Sequence, residues 1–194
     1  MKRSAPRPRA TPEAILDAAR RIARERGWPA VTIRAVADSL GYASPLLYEH
    51  FRNKEDLMAA ATRQGFAELA AELSAVAPDP GSDERLLALG RAYLAFAQRA
   101  PELYRVMHGL EGTITPSEAM AEGAQQLCDG VLHELQAWER KAGVKLQDPL
   151  GSAEAIWCLV HGVASLTLAG RLEPGHEERL SDTIRALLAG WRNS

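Results

Sequence analysis

Cysteine is scarce in this 194-residue chain: Cys128 and Cys158 are the only two, and neither has a Cys-x-x-Cys partner or a metal-ligand neighbour at useful spacing. That excludes a disulfide framework and points to a reducing compartment. Long apolar runs are missing as well. The longest weakly polar stretch, AIWCLVHGVASLTLAG (Ala155–Gly170), is shorter than the roughly 18 residues of a membrane-spanning candidate and carries His161 near its centre. The opening MKRSAPRPRA is basic but lacks the apolar segment of a secretory signal. A cytoplasmic protein without a membrane partner is expected. Catalytic arrangements are absent too: there are no paired carboxylates, no metal-ligand cluster and no phosphate-cradling glycine loop. Cys158 and His161 stand three apart, which invites a thiol–imidazole reading. A nucleophile needs an activating, accessible setting, however, and this run is apolar. No enzyme, metal or cofactor is expected.

Two-residue alternation is likewise missing, whereas helical spacing recurs along the whole chain. Thr11-Pro12, Ser44-Pro45, Thr115-Pro116 and Asp148-Pro149 each place a capping side chain before a proline, which has no first-turn N–H to lose. Thr115-Pro116-Ser117-Glu118 also fits a capping box. The spacing predicts an all-α chain of about nine helices: 12–26, 33–40, 45–51, 54–76, 83–99, 101–108, 116–142, 149–170 and 176–191. Gly27, Gly41, PDPGS (78–82) and EPG (173–175) supply the breaks. Residues 1–10 read as a flexible basic arm, 11–53 as a helix-turn-helix domain, and 54–194 as a separate helical bundle.

Charge divides along the same line. Residues 1–63 hold 12 Lys/Arg against 7 Asp/Glu, a balance of +5, and residues 64–194 hold 11 against 18, a balance of −7. A basic head on an acidic body hints at a polyanionic partner. In IRAVADSL (33–40), Ile33, Val36, Ala37 and Leu40 share one face, and Gly41 is placed to end the helix in the left-handed conformation. Ser44 is placed to cap the next helix, where Leu47 and Phe51 stand four apart and face the first. Tyr48 then lies about 100° away, outside with His50 and Lys54. These donors suit phosphate oxygens, and the exposed N-terminal end of the helix suits base edges. A plain three-helix packing unit would share this outline.

TIRAVADSLGYASPLLYEHFRNKEDLM (Thr32–Met58) resembles the DNA-binding signature of the tetracycline-repressor (TetR) family of bacterial one-component regulators, with matches at Thr32, Ala37, Gly41, Ser44, Leu47-Tyr48, His50-Phe51, Lys54 and Leu57. The resemblance implies that Thr32, Tyr48, His50 and Lys54 hold the phosphate backbone of double-stranded DNA and that Ala43, Ser44, Pro45 and Leu46 face the bases, with Tyr42 beside them in the DNA-binding set. Pro45 and Leu46 depart from the small or polar residues usual there, which favours thymine methyls over bidentate hydrogen bonds. RAYLAFAQRAPELYRVMHG (91–109) and AIWCLVHGVASL (155–166) resemble the C-terminal domain type named for its Trp and His-Gly motif, here Trp157, His161 and Gly162. That implies a helical body sensing a small-molecule effector and a homodimer built from the last two helices. Tyr93, Phe96, Tyr104, Met107, His108, Trp157 and His161 are the candidate ligand contacts, although aromatic stripes at helical spacing serve equally as core. Leu180, Ile184, Leu187, Leu188 and Trp191 form one stripe, the expected dimer surface. The resulting expectation is a repressor released from a palindromic operator by a small ligand. A ligand-independent regulator, acting through partners or through thiol oxidation at Cys128, is the alternative.

Overall fold

The computed structural model describes residues 10–77, 79–110 and 117–193. In chain order its helices are α1 (Pro12–Arg26), α2 (Ile33–Leu40), α3 (Ser44–Tyr48), α4 (Lys54–Ser74), α5 (Asp83–Arg99), α6 (Pro101–Met107), α7 (Ser117–Ala142), α8 (Pro149–Leu168) and α9 (His176–Arg192). A short 3-10 turn, Trp28–Ala30, links α1 to α2. There is no strand among the described residues. Residues 1–9 of the expected arm and the Thr115-Pro116 capping box lie outside them.

Capping fixes the helix starts. Thr11 Oγ1 accepts from the Ala14 amide (3.2 Å), Thr32 Oγ1 from Ala35 (3.0 Å), Asn53 Oδ1 from Asp56 (2.8 Å) and Asp148 Oδ1 from Gly151 (2.9 Å). Each satisfies a first-turn donor that the helix itself leaves unpaired. Gly41 closes α2 at φ 71°, a conformation disfavoured once a Cβ is present. The third helix departs from expectation at both ends. Ser44 is its first residue rather than its cap: Ala43 takes the capping position, and its carbonyl already receives the Leu46 amide at 3.1 Å. α3 also stops at Tyr48 instead of residue 51, because the His50 and Phe51 amides both converge on the Leu47 carbonyl (3.0 and 2.9 Å) and turn the chain toward α4.

Two buried clusters organise the packing. The head cluster joins Ile15, Ala18 and Ile22 of α1, Trp28, Val36 and Ala37 of α2, Leu47 and Phe51, and it also takes Leu57, Met58 and Ala61 of α4 and Val106 of α6. The body cluster begins at Phe66 and Leu69 of α4 and runs through α5 to α9. α4 therefore passes from one core into the other, and the expected division at 53/54 falls just ahead of residues that complete the head. Gly65 allows α6 to lie close against α4, since a Cβ there would stand 2.6 Å from Met107 Sδ.

The expected dimer stripe on α9 is corrected by its burial. Leu180, Ile184 and Leu188 are 2%, 1% and 0% exposed and belong to the body's own core. Leu187 is half-buried, and Trp191 packs edge-on against Trp138 with centroids 6.2 Å apart. The cause lies on α5, where Gly90 has no side chain to keep α9 away; a Cβ at that position would meet Ile184 Cδ1 at 2.8 Å. By contrast, α8 buries Ala153, Ile156, Val160 and Ala164 and leaves Ala155, Cys158 and Leu166 exposed on its other side. Among the described residues no helix is long and apolar enough to cross a membrane.

Candidate nucleic-acid interface and body cavity

The Gly41 turn presents the start of α3 at the surface. Leu47 and Phe51 are buried in the head, whereas Ala43 and Pro45 are exposed and Tyr42, Ser44 and Leu46 are partly so. Tyr48 is 53% exposed and His50 is exposed beside it, which places both on the outer side, one residue out of phase with Leu47. Thr32 is exposed at the N-terminus of α2. Lys54 is less available than its sequence position suggests. Its Nζ donates to the carbonyls of Trp28 (3.0 Å) and Pro29 (3.4 Å) and so ties the first residue of α4 to the 3-10 turn. An ammonium carries three donors, so one is left beyond these two. Arg52 holds Asp56 with both arms of its guanidinium (2.6 and 2.8 Å). Sequence reasoning missed Arg34. Its side chain is 88% exposed on the first turn of α2 and only loosely paired with Asp38, at 3.9 Å. An arginine on the outer face of an amphipathic helix is ordinary, and only its position beside Thr32 distinguishes it. Hydroxyl, imidazole, ammonium and guanidinium donors thus surround an N-terminal edge of small and apolar residues, the chemistry of phosphate grip around base contact.

In the body, a cavity of about 270 Å³ opens between α4, α5, α7 and α8. Its wall is mainly apolar, with Leu73, Leu86, Leu89, Leu127, Val131, Ile156 and Val160, and small residues at Ala70, Gly90 and Gly130 leave the space. Of the seven expected ligand contacts, Tyr93 and Trp157 line it. Phe96, Tyr104 and Met107 are fully buried core instead. His108 and His161 belong to a polar network beside the cavity: Tyr93 Oη lies 3.2 Å from His108 Nε2, and Tyr104 Oη lies 2.7 Å from His161 Nδ1. The two imidazoles meet edge-on with centroids 4.5 Å apart. Burial pushes the Tyr93 phenol well above its ordinary pKa and lowers that of His161, and burial together with His161 lowers that of His108 to about 3. The network is therefore uncharged at neutral pH. Arg85 and Glu134, also in the cavity wall, close on each other at 2.8 Å. His161 shares its ring nitrogens with Tyr104 and, at 3.4 Å, Ser165, so the thiol–imidazole pairing with the exposed Cys158 does not form. Among the described residues no group of three His, Cys, Asp or Glu side chains is placed to hold a metal ion.

Comparison with known proteins agrees with this division. Residues 15–61 match the family described as bacterial regulatory proteins, tetR family, and residues 86–190 match the tetracyclin repressor-like C-terminal domain. The chain is 26% identical over 181 residues to an uncharacterized HTH-type transcriptional regulator of Mycobacterium tuberculosis, covering 92% of this chain and 80% of that one. In structure it resembles a protein of unknown function from Rhodococcus sp. RHA1 (TM-score 0.84, 21% identity, 97% and 100% of the two chains). It also resembles the fatty acid degradation regulator FadR from Bacillus halodurans (TM-score 0.74, 18% identity, 96% of each chain). With both family matches falling on the two cores described above, the chain belongs to the tetracycline-repressor family: it is a non-enzymatic, helix-turn-helix DNA-binding transcriptional regulator.

Proposed function

We propose that this regulator is a homodimeric repressor that leaves an inverted-repeat operator when a small apolar molecule enters the body cavity. The cavity carries the reading: it is mainly apolar and walled by the C-terminal half of α4, the helix whose N-terminal half completes the DNA-reading head. A ligand preferring a different placement of α4 would change the spacing of two heads, by no more than its difference in affinity for the two placements. At DNA, Tyr48, His50, Thr32, Lys54 and Arg34 grip phosphates while Ala43 to Leu46 meet bases. The dimer forms through the outward face of α8, with Ala155, Cys158 and Leu166, and the adjoining side of α9 near Leu187. Thiol control at Cys128 has less support, since burial, Glu154 and Asp129 all raise the pKa of that thiol and disfavour the reactive thiolate.

The test begins with a duplex selected from a random pool by the protein itself. Release from it is followed by fluorescence anisotropy with medium-chain fatty acids and their methyl esters as first probes, chosen for the apolar wall and for the FadR-like fold. Gly130→Leu adds a side chain to the cavity wall at a position where a Cβ meets no atom within 4 Å. It is expected to bind the duplex normally and to lose the response to any probe that releases the wild type. Undiminished release from Gly130→Leu would place the effector site elsewhere.

A further inference from the structure

Glu102 is an acid with no exposed surface, at the second position of α6. Its carboxylate accepts from two arginines of the head. Arg24 donates through Nη2 to Oε1 (2.7 Å) and through Nε to Oε2 (3.1 Å), and Arg20 donates to Oε1 through Nη2 (3.3 Å) and Nε (3.4 Å). Arg20 also reaches Glu68 of α4 at 2.8 Å, and Gln64 holds the same carboxylate at 2.8 Å. The Glu102 main-chain carbonyl takes the indole N–H of Trp28 at 2.7 Å. Trp28 in turn offers its own carbonyl to Lys54, at the start of α4. One residue of α6 thus holds α1, the 3-10 turn and, through them, the first turn of α4.

The other end of α6 is fastened to the body. Tyr104 lies 2.7 Å from His161 of α8, and His108, at the α6 C-terminus, bonds Tyr93 in the cavity wall. A buried carboxylate in a low-dielectric setting tolerates little displacement from its cations, because an unpaired charge there costs far more than the pair gains. The clasp consequently behaves as a fixed joint rather than a sliding contact: where α6 goes, α1 follows.

We propose that Glu102 is a positioning residue for DNA reading, making α6 the body's grip on the head and setting the orientation in which the recognition helix is offered. This goes beyond the release mechanism above and does not depend on the cavity being an effector site. Glu102→Gln keeps the size and the main-chain acceptor but removes the charge and one carboxylate acceptor. Arg24→Gln removes the partner whose side chain is 57% exposed, so it disturbs the core least.

Spin labels on the exposed positions Glu49 (head) and Gln136 (body), in a chain carrying Cys128→Ser and Cys158→Ser, report head orientation by pulsed dipolar spectroscopy, with unlabelled protein in excess so that only intrachain distances count. Each variant is expected to broaden the head–body distance distribution about twofold or to shift its maximum. Each is also expected to lose about tenfold in affinity for the selected duplex, with affinity for random-sequence DNA unchanged. A merely structural role would lower the melting temperature and leave the distances and the specific-to-random ratio at wild-type values; that result in a folded Glu102→Gln overturns the proposal. Should Glu102→Gln fail to fold, Arg24→Gln decides alone, with wild-type distances and ratio again overturning it.

Discussion

His108 converts burial into a dependence on pH. Its folded pKa is about 3, depressed by burial and by the neighbouring His161, whereas an unfolded imidazole titrates near 6.5. Between those values the unfolded chain takes up a proton that the folded chain refuses, so stability falls as pH drops below 6.5. For this group the loss between pH 7 and pH 5 is about 2 kcal/mol. His108→Gln keeps a hydrogen-bonding side chain without the titration, and urea melts at the two pH values should show a loss smaller than the wild type's by about that amount. Equal losses would acquit His108. On the DNA side, Arg34→Ala should weaken binding to every duplex alike and reduce the salt slope of log affinity by roughly one. An unchanged slope would remove Arg34 from the phosphate contacts. Tyr48 was legible from sequence, because one-residue phase against Leu47 fixes its direction whatever surrounds it. Glu102 was not: it is one of 18 acids in residues 64–194, and only the arrival of Arg20 and Arg24 from a distant helix gives it a role.

At the scale of elements, three apolar side chains of α9 that sequence offered to a partner belong to the body's own core, while α8 keeps an exposed apolar side. Leu180, Ile184 and Leu188 show an amphipathic stripe whether it packs on its own subunit or on a partner, and the deciding feature, Gly90, lies on another helix. The Thr11 and Asp148 caps were readable because capping is local. The end of α3 was not, because it depends on how two amides share the Leu47 carbonyl. The corrected assignment separates two substitutions of the same chemistry. Ile184→Glu buries an unpaired charge in the body and should unfold it, at a cost of several kcal/mol. Leu166→Glu, at a side chain 41% exposed, should cost the protomer about 0.5 kcal/mol or less while breaking the dimer. Circular dichroism with sedimentation velocity at micromolar concentration distinguishes the two. A Leu166→Glu protein that stays dimeric would exclude the α8 face from the interface.

The whole molecule carries its charge in two parts, +5 over residues 1–63 and −7 over the remainder. Long-range attraction brings the head to DNA and holds the acidic body away, an orientation that weakens as salt screens it. The short α3 covers few base pairs, so one head alone should bind weakly and specificity should come from two heads held at a fixed separation. Both the head and the body architecture were legible in sequence, since helix periodicity and the Thr32–Met58 signature are local. The cavity's place was not, since it is set by small residues brought together from three helices. A hydroxyl-radical footprint of the wild-type protein on its selected duplex tests whether a symmetric pair of α3 heads sits on DNA. Two equivalent protected patches related by a two-fold axis over an inverted repeat are expected. A single asymmetric patch, or uniform protection along the duplex, would contradict that arrangement.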